Sequence, residues 1–317
     1  MNTLLTRRLL QLLPMLFFIS LVAFLLVKLA PGDPVAAYIT PRMAPEDIER
    51  IRQSLGLDKP LVTQYLLWLK NVAQGDLGYS LIYHRPVLEM IAERIPATLG
   101  LMGASLLLAI VLAIPLGLLA GAFKHRWLDH LLNLFAYIGI SVPIFWFGIL
   151  LITVFAVQLN WFPSMGMRTI GMEDNWLDVV RHGVLPCIAL TFYNLSSYVR
   201  YIRSNTITQL SADYVQTQLA YGATRSGILF RHVLKNVLLP VITLFGLSFG
   251  ELVVGAYVTE SVFSWPGMGL LGIQSITSLD YPLIMAIIML SSMMLIVGNL
   301  IADLLYRFAD PRIRTLR

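Results

Sequence analysis

The sequence predicts an all-α membrane protein with six transmembrane helices, and its composition and hydropathy pattern lead to that prediction. Of 317 residues, 57% are hydrophobic and only 13% are charged, against about 25% charged in an average soluble domain. Mean hydropathy is +0.73, and several stretches of about 20 residues lack charge almost entirely. A soluble bundle would instead alternate polar and apolar positions along each helix. The composition therefore disfavours a soluble fold.

Six segments have the length of a spanning helix, because about 20 residues at a rise of 1.5 Å cross the hydrocarbon core of a bilayer. The first segment follows Arg7 and Arg8 and resembles a signal peptide, but its apolar run is longer and no cleavage pattern follows it. We expect it to be retained as a helix. The whole chain, 1–317, is predicted to form one transmembrane domain with spans at residues 9–29, 98–122, 131–157, 184–203, 237–258 and 283–306.

The distribution of Lys and Arg predicts that both termini are cytoplasmic. The short loop 123–130 and the C-terminal tail are clearly basic, whereas the long loop 31–96 carries seven basic and eight acidic residues. Positive charge in short loops marks the cytoplasmic side, and long loops count little. The net charge of +5 thus indicates membrane orientation rather than a nucleic-acid partner.

The outer loop 31–96 is expected to form a small helical cap on the outer face. Pro45 and the acidic residues after it are typical of a helix start. Residues 61–72 are predicted to form a second short helix with apolar and aromatic residues on one side, followed by a turn at 75–78.

The inner loop 204–236 has about 33 residues, more than a simple connector needs. A short helix is predicted to start at Ser211 or Asp213, either of which has a side chain able to cap free N–H groups. It is predicted to end at Gly222 in a left-handed turn, and a second helix begins near Ser226. Exposed apolar side chains in this knob, taken to be Tyr214, Val215 and Tyr221, suit docking into a partner's groove. The alternative is an ordinary solvated connector.

This loop resembles the coupling segment of permeases in binding-protein-dependent ABC importers, and more narrowly the peptide and nickel branch. The matching residues are Asp213-Tyr214-Val215-x-Thr217 with Gly222, then residues 231–236 and Leu239-Pro240. Further stretches agree in order along the chain, at residues 31–34, 55–61, 75–80, 260–269, 280–282 and 310–314. The pattern departs at Gln216-Thr217-Gln218, where the family motif has Glu-Ala-Ala.

The resemblance implies an importer-permease fold and a channel-forming subunit of an ATP-driven importer in a bacterial or archaeal cytoplasmic membrane. It implies three kinds of partner: a second homologous permease, two ATPase subunits and an extracytoplasmic substrate-binding protein. The residues it implies for coupling to the ATPase are Asp213, Tyr214, Val215, Gln216, Thr217, Ala220, Gly222 and Ala223. Di- and oligopeptides are the first expected substrates, and nickel or another metal chelate is the alternative. An ion-coupled secondary carrier and a membrane scaffold are more distant alternatives.

Several chemistries are not expected of this chain. It has no G-x-x-x-x-G-K-[ST] phosphate loop, so ATP and Mg²⁺ are expected on partner ATPase subunits and the chain is not expected to be an enzyme. One cysteine, Cys187, excludes an intrachain disulfide and a thiolate metal cluster. We expect no cofactor or metal site.

Glu251 is the candidate residue of the substrate path. It lies about 20 Å along predicted span five, and a carboxylate in hydrocarbon is costly enough to indicate function. It is expected to meet a cationic group of the substrate; the alternative is a protonated or hydrogen-bonded structural residue. Gly117 with Gly121, and Gly246 with Gly250, have the spacing that permits close helix approach, within the chain or against a partner permease.

Overall fold

The computed structural model describes residues 2–29, 44–54, 56–172, 174–238, 241 and 257–309. These residues are mainly helical, and the only β-type pairing among them is an isolated antiparallel bridge between Tyr79 and Pro86. Numbered in chain order, the helices are α1 Asn2–Leu29, α2 Pro45–Ser54, α3 Leu61–Ala73, α4 Val87–Ala122, α5 Trp127–Ser141, α6 Ile144–Leu151, α7 Trp176–Leu210, α8 Asp213–Ala220, α9 Arg225–Ile228, α10 Tyr257–Val262, α11 Met268–Thr277 and α12 Tyr281–Ala309. Helices α6 and α9 each run on into a π-helical turn, Ile152–Gln158 and Leu229–Val233 respectively.

Among the described residues, two helices are long and apolar enough to cross a membrane, Val87–Ala122 and Tyr281–Ile301, and a bent pair of helices makes a third candidate. The predicted span 98–122 lies inside α4, and 283–306 lies inside α12. The predicted span 184–203 lies inside α7, whose more polar residues include the buried Thr191 and Ser196. Most of the predicted span 237–258 lies outside the described residues.

The segment 131–157, predicted as one spanning helix, is broken into two helices. Helices α5 and α6 meet at an angle of 101°, with Val142 extended at φ −81° and ψ 123°. Pro143 explains the break, because a proline disfavours helical geometry at the residue before it and offers no N–H to the preceding turn.

Among the described helices, α4 and α7 have the most extensive contact, and glycine makes their close approach possible. A Cβ atom added at Gly117 would lie 2.6 Å from the Cβ of Ile202, and one added at Gly121 would lie 2.5 Å from the Cβ of Thr206. The predicted close approach at Gly117 and Gly121 is confirmed, and the facing surface is α7 of the same chain. Gly246 and Gly250 lie outside the described residues.

The main hydrophobic core runs from this helix pair towards α8 and α9. Leu118 of α4 and Val199 and Ile202 of α7 are buried in one cluster with Val215 of α8 and Val233 beyond α9. The inner loop is therefore packed onto the bundle rather than suspended from it. We call the end of the bundle that carries α8 the inner end, and the opposite end the outer end.

Candidate functional site

The inner loop begins with a tight turn that the sequence did not predict in detail. Helix α8 is preceded by Ala212, whose side chain has no oxygen to cap it. The predicted cap from Ser211 or Asp213 is therefore wrong: the hydroxyl of Ser211 donates to Thr208 O at 2.8 Å instead and closes the end of α7. Inside α8, the Thr217 hydroxyl donates to Asp213 O at 3.1 Å.

The turn between α8 and α9 depends on a residue in left-handed geometry. Gly222 has φ +82°, which confirms the predicted left-handed end. The Ala223 N–H donates to Gln218 O at 3.0 Å and closes the turn. Thr224 then caps α9, because its hydroxyl oxygen accepts from the Gly227 N–H at 3.2 Å.

Two of the apolar residues expected to be exposed for docking face the protein instead. Val215 is only 5% exposed and belongs to the main core cluster. Tyr214 is half-buried, and its hydroxyl donates to Gln209 Oε1 at 3.0 Å. The expectation of exposure is wrong for both, because the face of α8 that carries them packs against the bundle. Ala223 is also half-buried against the same cluster.

The rest of α8 and its turn faces outward, and we call these exposed side chains the inner knob surface. Tyr221 is 84% exposed, as expected, and Leu219 is 39% exposed. The complete set is Asp213, Gln216, Thr217, Leu219, Ala220 and Tyr221. Leu219 was not among the predicted coupling residues, nor was Phe230, which is 59% exposed just after α9. Nothing in the sequence around either residue indicates that its side chain is exposed rather than part of the core.

A buried ion pair secures the helix that leads into the knob. Asp129, 1% exposed in the first turn of α5, pairs through both carboxylate oxygens with Arg203 of α7. The Arg203 Nη2 to Asp129 Oδ2 distance is 2.8 Å. The same carboxylate accepts from the His125 N–H at 2.9 Å and from Asn133 Nδ2 at 2.8 Å. The loop 123–126, α5 and α7 are thus tied together about two turns before the end of α7 at Leu210.

The outer end carries a second buried carboxylate. Glu260 of α10 is fully buried, with Oε1 accepting from the Thr98 hydroxyl at 2.8 Å and Oε2 accepting from the Leu270 N–H at 3.0 Å. The Thr98 oxygen in turn accepts from the Met268 N–H at 2.7 Å. Gly267 leaves the space for this arrangement, since a Cβ there would collide with the Glu260 carboxylate and the Thr98 hydroxyl.

Burial raises the pKa of Glu260 above its ordinary value, although the Leu270 N–H, the Thr98 hydroxyl and the charge of Arg94 act in the opposite direction. Nearby, Trp265 Nε1 donates to Ala97 O at 3.0 Å. The segment 257–280 is therefore anchored to the outer end of α4 by one carboxylate and one indole.

An open depression of about 590 Å³ lies beside this anchor. Its lining includes charges of both signs, and the carboxylate of Glu93 pairs with the exposed Arg85 at an Nη1 to Oε2 distance of 3.2 Å. The lining residues are Glu93, Arg94, Pro96, Ala97, Met167, Arg168 and Pro266. Glu251, the predicted path residue, lies outside the described residues.

The fold and the inner loop together define a multi-pass helical membrane protein of the importer-permease class. Residues 113–315 match the family described as "Binding-protein-dependent transport system inner membrane component", and residues 1–102 match the corresponding N-terminal family. The chain belongs to this family of inner-membrane permease components, as the resemblance of its inner loop implied.

Full-length relatives and a solved structure agree with this membership. The chain is similar to the oligopeptide transport system permease protein AppB of Bacillus subtilis (41% identity over 97% of this chain and 98% of AppB). It is also similar to the glutathione transport system permease protein GsiC of Escherichia coli K12 (39% identity over 97% of each chain). The inward-facing MetNI methionine ABC transporter shares the fold, with a TM-score of 0.51 and 15% identity over 70% of this chain and 97% of that one.

Proposed function

We propose that this chain is a channel-forming permease subunit of an ATP-driven importer of short peptides. The peptide assignment is supported by the relatives, since AppB is named for oligopeptides and GsiC for glutathione, and both align over nearly the whole chain. Hydrolysis of ATP is assigned to partner subunits, and this chain supplies the path. Because the chain belongs to this family, the ion-coupled carrier and the membrane scaffold are no longer alternatives.

The observation that carries the mechanism is the continuous packing from α8 to the spanning helix α4. Val215 of α8 lies in one buried cluster with Ile202 of α7 and Leu118 of α4. Close-packed interiors transmit displacement rather than absorb it, and packed helices switch between discrete arrangements. When the ATPase subunits close on ATP, motion at the inner knob surface is therefore delivered to the α4–α7 pair, which changes the side on which the path is open.

The arrangement that we propose in the membrane is supported by the charge of the loops and is compatible with the family. We place both termini in the cytoplasm and six spans in the bilayer, with a second permease and two ATPase subunits completing the inner assembly. A binding protein releases substrate onto the loops 31–96, 158–183 and 259–282. The anchored segment 257–280 and the depression beside Glu93 and Arg94 lie at this outer end.

Glu251 is assigned to the path by its position in the sequence. A carboxylate there suits the amino terminus of a peptide, since an intramembrane acid is rare without function. Replacing Glu251 with Gln is expected to lower uptake or change its dependence on pH. Unchanged uptake across pH would remove Glu251 from the path.

The test of the function is uptake in cells with and without the gene for this subunit, using labelled dipeptide, labelled glutathione and labelled nickel. Loss of peptide or glutathione uptake alone is expected, with recovery when the gene is restored. Loss of nickel uptake alone would replace the peptide assignment with a metal-chelate importer. A matched strain with an inactivated ATPase partner must show the same loss, because transport here depends on ATP.

A further inference from the structure

Helix α3 is the most unusual feature of the outer loop, because it packs against the side of α1, which contains the predicted span 9–29, rather than beyond its end. The Tyr65 hydroxyl is 2.7 Å from Ser20 Oγ of α1 and donates to Phe17 O at 3.4 Å. The Tyr65 ring lies edge-on to Phe24, at a centroid distance of 5.3 Å. These are contacts within the apolar part of α1, not with its end.

Contacts with two helices indicate the depth of α3 relative to the predicted spans. On α1, Ser20 and Phe24 contact Tyr65 and lie inside the predicted span 9–29, before Lys28. On α12, Met285 packs in the same cluster as Tyr65 and lies inside the predicted span 283–306, two residues from its start. The packed face of α3 therefore lies beside the outer part of two predicted spans, near the boundary between headgroups and acyl chains.

The exposed surface of α3 is divided into an apolar flank and a polar flank, as expected of a helix at the membrane boundary. Val62 is 70% exposed and Leu66 is 56% exposed, and their i, i+4 spacing places them on one flank. Thr63 and Asn71, eight residues apart, are exposed further round the helix, and Lys70, one turn after Leu66, lies at the border between the two flanks. Leu67, 38% exposed, and Leu61, 54% exposed, do not follow this separation. A helix that lies in the plane of a membrane has an apolar flank in the acyl region and a polar flank towards water.

We propose that α3 is an in-plane helix whose Val62 and Leu66 flank is inserted among the lipid acyl chains of the outer leaflet. Tyr65 holds the buried face of α3 against α1. The flank formed by Val62 and Leu66, which we call the lipid flank, adjoins that face. This replaces the sequence-based expectation of a cap standing on the outer face. The proposal rests on the chain crossing the membrane and not on its substrate. A soluble binding protein does not reach the acyl region, so lipid is the occupant that matches this depth.

The test uses spin labels on single cysteines in the complete transporter, reconstituted in phosphatidylcholine and phosphatidylglycerol vesicles. Cys187, the chain's one cysteine, is first replaced by Ser, and the partner subunits are made cysteine-free. Labels are placed by V62C and L66C on the lipid flank, and by T63C and N71C as matched controls on the same helix. Collision rates with oxygen, which concentrates in the acyl region, are compared with those of a water-soluble nickel chelate.

At Val62 and Leu66 we expect oxygen collisions to exceed nickel-chelate collisions several-fold, and at Thr63 and Asn71 we expect the reverse. The binding protein should leave the first pair unchanged. Preference for the nickel chelate at Val62 and Leu66 would place α3 in water and overturn the proposal. Exclusion of both reagents from that flank would also overturn it, because a protein subunit would then be the occupant.

Discussion

Arg203 and Asp129 form a two-point ion pair that joins α7 to the start of α5 at the inner end of the bundle. The carboxylate also accepts the His125 N–H and the Asn133 amide, so one buried side chain holds three segments. Two turns of α7 further on, the chain enters the inner knob. The pair is therefore placed to keep the base of the knob rigid.

Replacing Asp129 with Ala is expected to lower the free energy of unfolding by about 3 kcal/mol, because it leaves Arg203 without its partner in a mostly buried site. D129N should cost less, since the amide oxygen still accepts the His125 N–H. The measurement is thermal unfolding of the purified transporter. Glu93→Ala is the matched control, as it breaks the exposed pair with Arg85 and should lower the stability much less, because water screens an exposed ion pair. Equal effects of D129A and E93A would show that burial of the inner pair has no consequence.

Val215 and Tyr221 lie six residues apart in the same knob. Substitutions at these two positions should distinguish an effect on stability from an effect on docking to the ATPase. V215A removes two buried methyl groups and is expected to cost about 1–2 kcal/mol of unfolding free energy, with ATPase binding retained in the folded fraction. Y221A removes a side chain that is 84% exposed and should change stability by no more than about 0.5 kcal/mol. It should reduce the amount of ATPase subunit that co-purifies with the permease. The opposite pattern would mean that the knob docks through the face we find buried.

A valine at Gly222 is expected to uncouple ATP hydrolysis from uptake. The position has φ +82°, and a Cβ added there would meet no atom within 4 Å, so the cost is backbone strain of about 1–2 kcal/mol rather than a collision. Relief of that strain moves α8 relative to α9. Uptake per ATP hydrolysed is the measurement, in proteoliposomes with the binding protein present.

Gly75 provides the control for that experiment. It has φ +84° with equally open surroundings, but it lies at the other end of the bundle, after α3. G75V should carry a similar strain and leave the ratio of uptake to hydrolysis unchanged. If both variants lowered the ratio equally, the effect of G222V would be general destabilisation and not uncoupling.

The buried Glu260 predicts a pH dependence of stability. Because its pKa is raised in the folded protein, the stabilisation it provides is complete below the ordinary carboxyl pKa of 4.5 and is lost as the pH rises through the raised value. The thermal midpoint of the wild type should therefore fall, relative to that of E260Q, over the interval that begins near pH 4.5 and ends at the raised pKa of Glu260. A constant difference between the two midpoints would mean that Glu260 does not change protonation in that interval.

Class and family could be predicted from the sequence because their signals are local. Long apolar runs, basic short loops and the ordered motifs from residue 31 to residue 314 need no knowledge of which helices touch. The start of α2 at Pro45 and the left-handed turn at Gly222 were predicted for the same reason, since proline and glycine restrict or free the backbone at their own positions.

Which side chains face the bundle was decided only by tertiary packing. Tyr214, Val215 and Tyr221 look alike in the sequence as apolar residues of one knob, yet one is half-buried, one is buried and one is exposed. Asp129 with Arg203, and Thr98 with Glu260, are separated by 74 and 162 residues, and no local pattern pairs them. Local preferences determine the elements, whereas burial and long-range pairing depend on how those elements are brought together in space.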